Sequence, residues 1–401
     1  MSLYHPLNEQ EAIAIAKSLP GFFDAHAELA CREIGDGNLN LVFHITDPES
    51  GTSLIMKQAL PYAKVVGESW PLSLDRARIE SEALRKQEEL APGLVPKVYH
   101  YDGDLALTIM EDLSDHVIMR RGLMDGSRYP EFAAHISTFL ANTLFYTSDL
   151  GLNQQEKKRL SGRFINPDLC KITEDLIFDD PYTESSNNNY EASIADCAAA
   201  LREDNALHLE VARLRAKFLT QGQALLHGDL HTGSVFVTPG STKAIDPEFA
   251  YFGPMGYDIG AVIANLLLNY AGHEHWSADE RERAAHRAYL LDTVTSVWTL
   301  FESKFRALWD AHCVDRLFRQ TRGYQDAYMQ DLLRDTAGYA GCKMVRRIVG
   351  LAHVADIDAI PDATARERAQ RMALRIGTDL IKNGRQVGTI GQVLQAVQEG
   401  V

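Results

Sequence analysis

No apolar run in the sequence approaches the ~18 residues needed to span a bilayer. The first twelve residues are polar and acidic, unlike a signal peptide. Cysteine is sparse: Cys31, Cys170, Cys197, Cys313 and Cys342 are scattered, odd in number and lack C-x-x-C spacing. That argues against a disulfide framework or a zinc site and points to thiols in a reducing compartment. Basic charge is also short, with 40 Lys and Arg against 55 Asp and Glu and a net charge of −15. Nucleic acids and anionic membranes are therefore disfavoured as general partners, although a local positive site remains open. A cytoplasmic protein of two or three lobes is expected from 401 residues of ordinary apolar content.

The informative residues are concentrated in 225–260, which read L-L-H-G-D-L-H-T-G-S-V-F-V-T and then K-A-I-D-P-E-F-A-Y-F-G-P-M-G-Y-D-I-G. Two short apolar runs, Val235–Val237 and Ala244-Ile245, flank the turn signal Pro239-Gly240 and predict a β-hairpin. Asp229 precedes the hairpin and Asp246 follows it. Two acids near one point can hold a divalent cation and orient a hydroxyl, which is what phosphoryl transfer requires. A surface turn rich in Asp and Gly is the plainer alternative.

His227-Gly228-Asp229 stands where kinases carry H-R-D, and Asp246-Pro247-Glu248 where they carry D-F-G. The stretch resembles the aminoglycoside and choline phosphotransferase branch of the protein-kinase-like fold. The resemblance implies an α+β, bilobal architecture: an N-lobe of antiparallel sheet with a helix, residues 1–113, and a larger, mainly helical C-lobe, residues 114–401. It also makes Asp229 the catalytic base and Asp246 a magnesium ligand. One position departs from it. Five residues after the catalytic Asp, where the family carries a magnesium-binding Asn, this chain has Ser234.

Upstream, residues 7–29 carry a helical pattern that Asn8 is placed to cap. Strand periodicity follows in 39–46, a turn in 47–51, and a second strand through Lys57. A glycine-containing turn, Gly35-Asp36-Gly37-Asn38, is weak evidence alone. With Lys57 downstream it matches the order of a kinase nucleotide loop and its lysine. Gly35, Gly37, Asn38, Asn40 and Lys57 are then the expected ATP contacts. The apolar neighbours Leu54, Ile55 and Met56 point Lys57 into a cleft, where an isolated strand lysine would be a solvated charge.

A helix is expected over 73–90. Glu80 and Glu82 project roughly 200° apart on it, so only one can meet Lys57, and the apolar company of Ala83 and Leu84 favours Glu80. Residues 105–110 form an apolar strand ending in Glu111-Asp112-Leu113. By resemblance this is the hinge, with the Glu111 carbonyl and Leu113 N–H at adenine. Residues 67–74, including Trp70, are placed to fold over the cleft.

Beyond residue 114, helical patterns cover 130–149 and 192–220, with the polar loop 181–190 of little ordering tendency between them. An apolar helix follows at 258–270. Its first residue, Asp258, suits either an N-cap or the aspartate that steadies the catalytic loop. A further helix starts near Thr364, with Thr364-x-x-Glu367 as a capping box. Only ten residues separate Glu248 from Asp258, so there is no room for the activation segment of a protein kinase.

The combination H-G-D-L-H-T-G-S, D-P-E-F-A, G-D-G-N-L-N and M-E-D-L-S is similar to the methylthioribose kinase family over almost the whole chain. That resemblance implies ATP as phosphate donor, Mg2+, a small sugar as acceptor and a homodimer. In an extended segment residues two apart face the same side, so Glu248 can join Asp246 at the metal in place of the missing Asn, while the resemblance implies an arginine pair, Arg346 and Arg347, at the acceptor together with Asp229. Adjacent helical residues point ~100° apart, so one arginine is expected to face the site and the other water. A solvated surface pair is the bland alternative.

Overall fold

The computed structural model describes residues 4–34, 39–63 and 67–398. Gly35, Gly37 and Asn38 lie outside them, as does the Trp70 side chain. The chain opens with α1 (Glu9–Lys17), where the Asn8 side chain accepts the N–H groups of Gln10 and Glu11 and the Glu11 carboxylate accepts that of Asn8. The helix stops at Lys17 instead of running to 29. Leu19 precedes Pro20, which disfavours helical backbone, and Gly21 then takes a φ of +69°.

Next come β1 (Ala30–Glu33), β2 (Asn40–Thr46), β3 (Ser53–Ala59), the short pair β4 (Tyr62–Ala63) and β5 (Gly67–Pro71), α2 (Asp75–Leu90), β6 (Val98–Asp102) and β7 (Leu107–Met110). Five of these strands form an antiparallel sheet in the order β1-β2-β3-β7-β6. Alternation buries Phe43, Ile45, Leu54 and Met56 on one face, against Ala12 and Ala16 of α1. Helix α2 buries Arg76, Ile79, Glu80, Ala83, Leu84 and Gln87, a stripe at three- and four-residue spacing. Glu82 lies off that stripe and pairs with Arg78 and Arg163.

The remainder is mainly helical. β8 (Val117–Ile118), α3 (Met119–Met124), α4 (Phe132–Tyr146), α5 (Gln154–Arg163), α6 (Pro167–Phe178), α7 (Ala195–Glu203) and α8 (Asn205–Thr220) precede the small strands. These are β9 (Ala224–Leu225), β10 (Val235–Val237), β11 (Thr242–Ala244) and β12 (Phe252–Gly253). Then follow α9 (Gly256–Trp276), α10 (Glu280–His312), α11 (Arg316–Gln320), α12 (Tyr324–Val349), α13 (Ala355–Asp358), α14 (Ala363–Asn383) and α15 (Ile390–Gln398). The fold is α+β and bilobal, a sheet-based part followed by a larger helical one.

Its helical core is built around α9, which is buried from Gly256 to His273. At Gly260 a Cβ would come within 2.8 Å of the Thr336 carbonyl, so glycine lets α12 lie directly against α9. The expected helix over 192–220 is two helices, because the Asp204 side chain accepts the Leu207 N–H and restarts the chain as α8. The 181–190 loop is tied down: the Asn188 side chain donates to the Asp180 and Thr183 carbonyls and the Asn189 N–H to that of Val349. Helix α14 is capped by Asp362, not by a box at Thr364, since Asp362 is the residue with non-helical backbone before the first turn.

Candidate active site

The hairpin β10–β11 forms with Val235 opposite Ala244, and β8 adds to its other edge. The loop before it is held from two sides. The Asp258 carboxylate accepts the N–H of His227 at 2.6 Å and of Gly228 at 3.0 Å, while the His227 ring donates to the Ile245 carbonyl at 2.8 Å. Asp258 is the third residue of α9, inside the helix and not at its N-cap. Gly228 has φ +87°, and a Cβ there would sit 2.2 Å from the Phe249 carbonyl oxygen, so only glycine fits between His227 and Asp229. Asp246 itself takes φ +68°, a strained conformation of the kind retained at functional sites.

On β3, Lys57 pairs in register with Val42 and Thr108. Its ammonium donates to Glu80 Oε1 at 2.7 Å and to Asp246. Burial pulls the lysine pKa down, but Asp246, Glu80 and Glu248 outweigh it and hold the ammonium above its ordinary value. Burial pushes the Glu80 carboxyl up, opposed by Lys57. The lysine is therefore protonated, since three carboxylates face one cation.

This triad stands at one end of a cleft of about 310 Å³. Val42, Ile55, Met110, Phe236 and Ile245 line it as apolar walls, and Glu111 and Leu113 line it too. The Glu111 carboxylate is engaged by Lys243 at 3.1 Å and by the Lys97 N–H at 3.0 Å, which pins the strand end. A cleft with apolar walls and a charged end suits a nucleotide base and its phosphates.

A second cleft, of about 350 Å³, abuts the first, and Asn40 and Asp246 line both. Asp229, Glu248, Lys343, Arg346 and Arg347 line its polar part, with Leu39, Leu72, Ile172, Leu176 and Ile177 on the apolar side. Glu248 is buried, its Oε2 lying 3.3 Å from Arg76 Nε and 3.5 Å from the Asn40 amide nitrogen that donates to it. Burial and Asp246 raise its pKa, while Lys57 and Arg76 oppose them. Asn40 thus braces Arg76 and Glu248 at the seam. Ser234 lines neither cleft, and its hydroxyl lies 3.2 Å from His231 Nδ1.

Asp229 sits between two nitrogens, Lys343 Nζ at 3.1 Å from Oδ1 and His231 Nε2 at 3.3 Å from Oδ2. Burial pushes its carboxyl up, but Lys343, His231 and Arg347 hold it well below the usual range. Burial lowers His231 to about 4, Lys343 to about 8 and Arg347 to about 9. Both arginines, not one, line the cleft, and both guanidinium groups donate to the Ala352 carbonyl at 3.3 Å. The 100° offset is bridged by the long side chains, which reach the same Ala352 carbonyl from the last turn of α12.

Two residues of this site escaped the sequence reading. Lys343 stands at i, i+3 and i+4 with the arginine pair, a spacing that places all three on one helix face. Arg76 lies four residues before Glu80 on the buried stripe of α2. Among the described residues no group of three or more His, Cys, Asp or Glu side chains converges as a self-sufficient metal cage. Asp246 and Glu248 still fit magnesium, which is commonly held by one or two carboxylates and completed by phosphate oxygens and water.

A model of the phosphotransferase enzyme family matches residues 30–298. A methylthioribose kinase of Geobacillus kaustophilus (strain HTA426) is 52% identical over 380 residues, covering 95% of this chain and 93% of that protein. One from Geobacillus sp. (strain WCH70) is 51% identical over 95% of this chain and 92% of its own length. A third, from Bacillus pumilus (strain SAFR-032), is 46% identical over 99% and 98%. By these matches, at near full length, the chain belongs to the methylthioribose kinases within the phosphotransferase enzyme family.

Proposed function

We propose that this protein transfers the γ-phosphoryl group of ATP to the 1-hydroxyl of 5-methylthioribose, giving 5-methylthioribose 1-phosphate and ADP in methionine salvage. The observation that carries the reading is the meeting of two clefts at Asp246, with Asp229 on the acceptor side. ATP lies in the first, its base near Glu111 and Leu113 and its phosphates toward Lys57, which Glu80 orients. Asn40 stands at the phosphate end, and Gly35, Gly37 and Asn38, outside the described residues, are assigned to the same role from the sequence alone. Mg2+, held by Asp246 and Glu248, supplies charge neutralisation to the phosphates.

Asp229 orients the acceptor hydroxyl and accepts its proton as the oxygen–phosphorus bond forms. Such positioning by a carboxylate typically contributes ~10²–10⁴-fold. The acceptor end also favours this substrate over others of the branch. Lys343, Arg346 and Arg347 disfavour cationic aminoglycosides and choline, whereas Ile172, Leu176 and Ile177 suit an uncharged methylthio group. The proposal extends to a cytoplasmic homodimer whose lobes divide near residue 113. Five free cysteines are consistent with a reducing compartment, and no helix among the described residues is long and apolar enough to cross a membrane.

The test is transfer from ATP to methylthioribose, choline, an aminoglycoside and homoserine in parallel, with Asp229→Asn as control. Methylthioribose should be preferred, and the variant should keep ATP affinity while losing at least ~10² in turnover. Transfer favouring another acceptor, or an Asp229 variant with more than about a tenth of wild-type turnover, would contradict the assignment.

A further inference from the structure

Lys343 is the most buried of the three cations on the acceptor face of α12, at 2% exposure. Its ammonium lies 3.1 Å from Asp229 Oδ1 and 4.4 Å from the centre of the Tyr257 ring. An ammonium removed from water is unfavourable unless a charge or a ring face replaces the lost hydration. Here both do, and among the described residues the only carboxylate paired with it, Asp229, belongs to the catalytic loop.

The surrounding charges make this pairing mutual. Arg346 and Arg347 face Lys343 from its own helix and Tyr257 and Asp258 from α9, while His231 of the loop meets Asp229 on its other oxygen. Arg120 of α3 lies behind His231, and Asp246 and Glu248 line the same cleft. Burial lowers the Lys343 pKa first, and the two arginines lower it further, so Asp229 is what retains its proton. In return Lys343 is the largest influence holding Asp229 ionised. That matters most when ATP is bound. Its phosphates bring negative charge into the clefts, and an unpaired, half-buried carboxylate beside them would be driven toward protonation.

We propose that Lys343 is a positioning residue for Asp229, fixing the carboxylate's orientation and preserving its ionised form in the loaded site. The inference rests on the reading of this chain as a methylthioribose kinase with Asp229 as base. Each carboxylate oxygen offers two lone-pair directions, so Lys343 on Oδ1 and His231 on Oδ2 leave one open on each oxygen, either of which can take the acceptor hydroxyl. In the transfer step the acceptor O–H bond breaks and its proton goes to Asp229. The acceptor oxygen bonds to the γ-phosphorus, and the bond to the bridging oxygen breaks with its electron pair leaving on ADP. A carboxylate so weakened as a base accepts the proton late, which a hemiacetal hydroxyl tolerates because its ring oxygen makes it more acidic than an ordinary alcohol. As Asp229 becomes neutral, Lys343 loses its counter-charge beside the transferring group.

The test combines pH profiles with a double-mutant cycle. Lys343→Met should lower kcat at least ~10-fold at pH 7 and move the acid limb of kcat upward by about one pH unit or more. ATP affinity should be unchanged, and Lys343→Arg should return the limb toward wild type. In an Asp229→Asn background, which removes the buried charge that Lys343→Met would strand, the lysine substitution should have no further effect on kcat. An acid limb that stays in place, or a loss that multiplies with that of Asp229→Asn, overturns the proposal. A lowered melting temperature with an unmoved limb makes Lys343 merely structural. Wild-type protein that fails to phosphorylate methylthioribose refutes the underlying reading instead.

Discussion

The Asp258 carboxylate accepts the backbone N–H of His227 on one oxygen and that of Gly228 on the other, at 2.6 and 3.0 Å. Both donors and the acceptor are buried, so no water replaces a lost bond. Asp258→Asn keeps one acceptor but turns an NH2 group toward a backbone donor. A buried donor left unsatisfied costs ~1–3 kcal/mol. We expect a melting temperature lowered by several degrees and a fall in turnover as Asp229 loses its setting. Calorimetry and transfer kinetics showing neither change would remove Asp258 from the loop's support.

Glu248 is expected to act twice, as a metal ligand and as the buried partner of Arg76. Glu248→Gln should raise the magnesium concentration at half-maximal rate. It should also reduce stability, since removing one member of a buried pair strands the other charge. Ser234→Ala, at a position lining neither cleft, should leave the magnesium dependence as it is. A destabilised Glu248 variant with an unchanged magnesium midpoint would confine this carboxylate to holding Arg76.

Arg346 and Arg347 enter the acceptor cleft from the last turn of α12. Charged donors contribute ~1.5–3 kcal/mol each, roughly ten- to a hundredfold in rate. Replacing either by Met, which keeps the apolar stem, should lower kcat/KM for the acceptor by that factor with little change in KM for ATP. Kinetics unaltered in both stable variants would sink their assignment to the acceptor.

Three histidines, His273 and His286 buried and His231 half-buried, predict how stability responds to acid. Burial lowers His231 and His273 to about 4 and His286 to about 3, from an ordinary 6.5. Between those values the unfolded chain binds protons that the folded chain refuses, so stability falls as pH drops from 7 toward 4. His273 and His286 stack at 3.9 Å, and the coulombic effect of His273 adds to the shift of His286. Melting temperatures should therefore decline from pH 7 to 5, and His286→Phe should make the decline shallower. An identical slope in that variant would assign the acid sensitivity elsewhere.

Much of this protein was decided within a few residues of each feature. Asn8 and Glu11 specify a helix start by themselves, and Pro239-Gly240 specifies the turn between β10 and β11. The choice of Glu80 over Glu82 follows from helical periodicity, because only one of the two can share the stripe with Ala83 and Leu84. Asp229 and Asp246 were legible for a similar reason. A carboxylate at each end of a short hairpin brings the two acids near one point.

What the sequence by itself determined, then, was local: element types, the hairpin, and the order in which Lys57, Asp229 and Asp246 occur. Only the tertiary structure decided which side chains are deprived of water, because burial depends on what packs opposite, not on chain neighbours. Lys343 and Asp229 are 114 residues apart, and in isolation a helical lysine is a solvated charge. Arg76 likewise becomes a structural cation only once α2 closes over Glu248. The packing of α12 on α9 turns Lys343, Arg346 and Arg347 inward together, and desolvation there strengthens every interaction with Asp229.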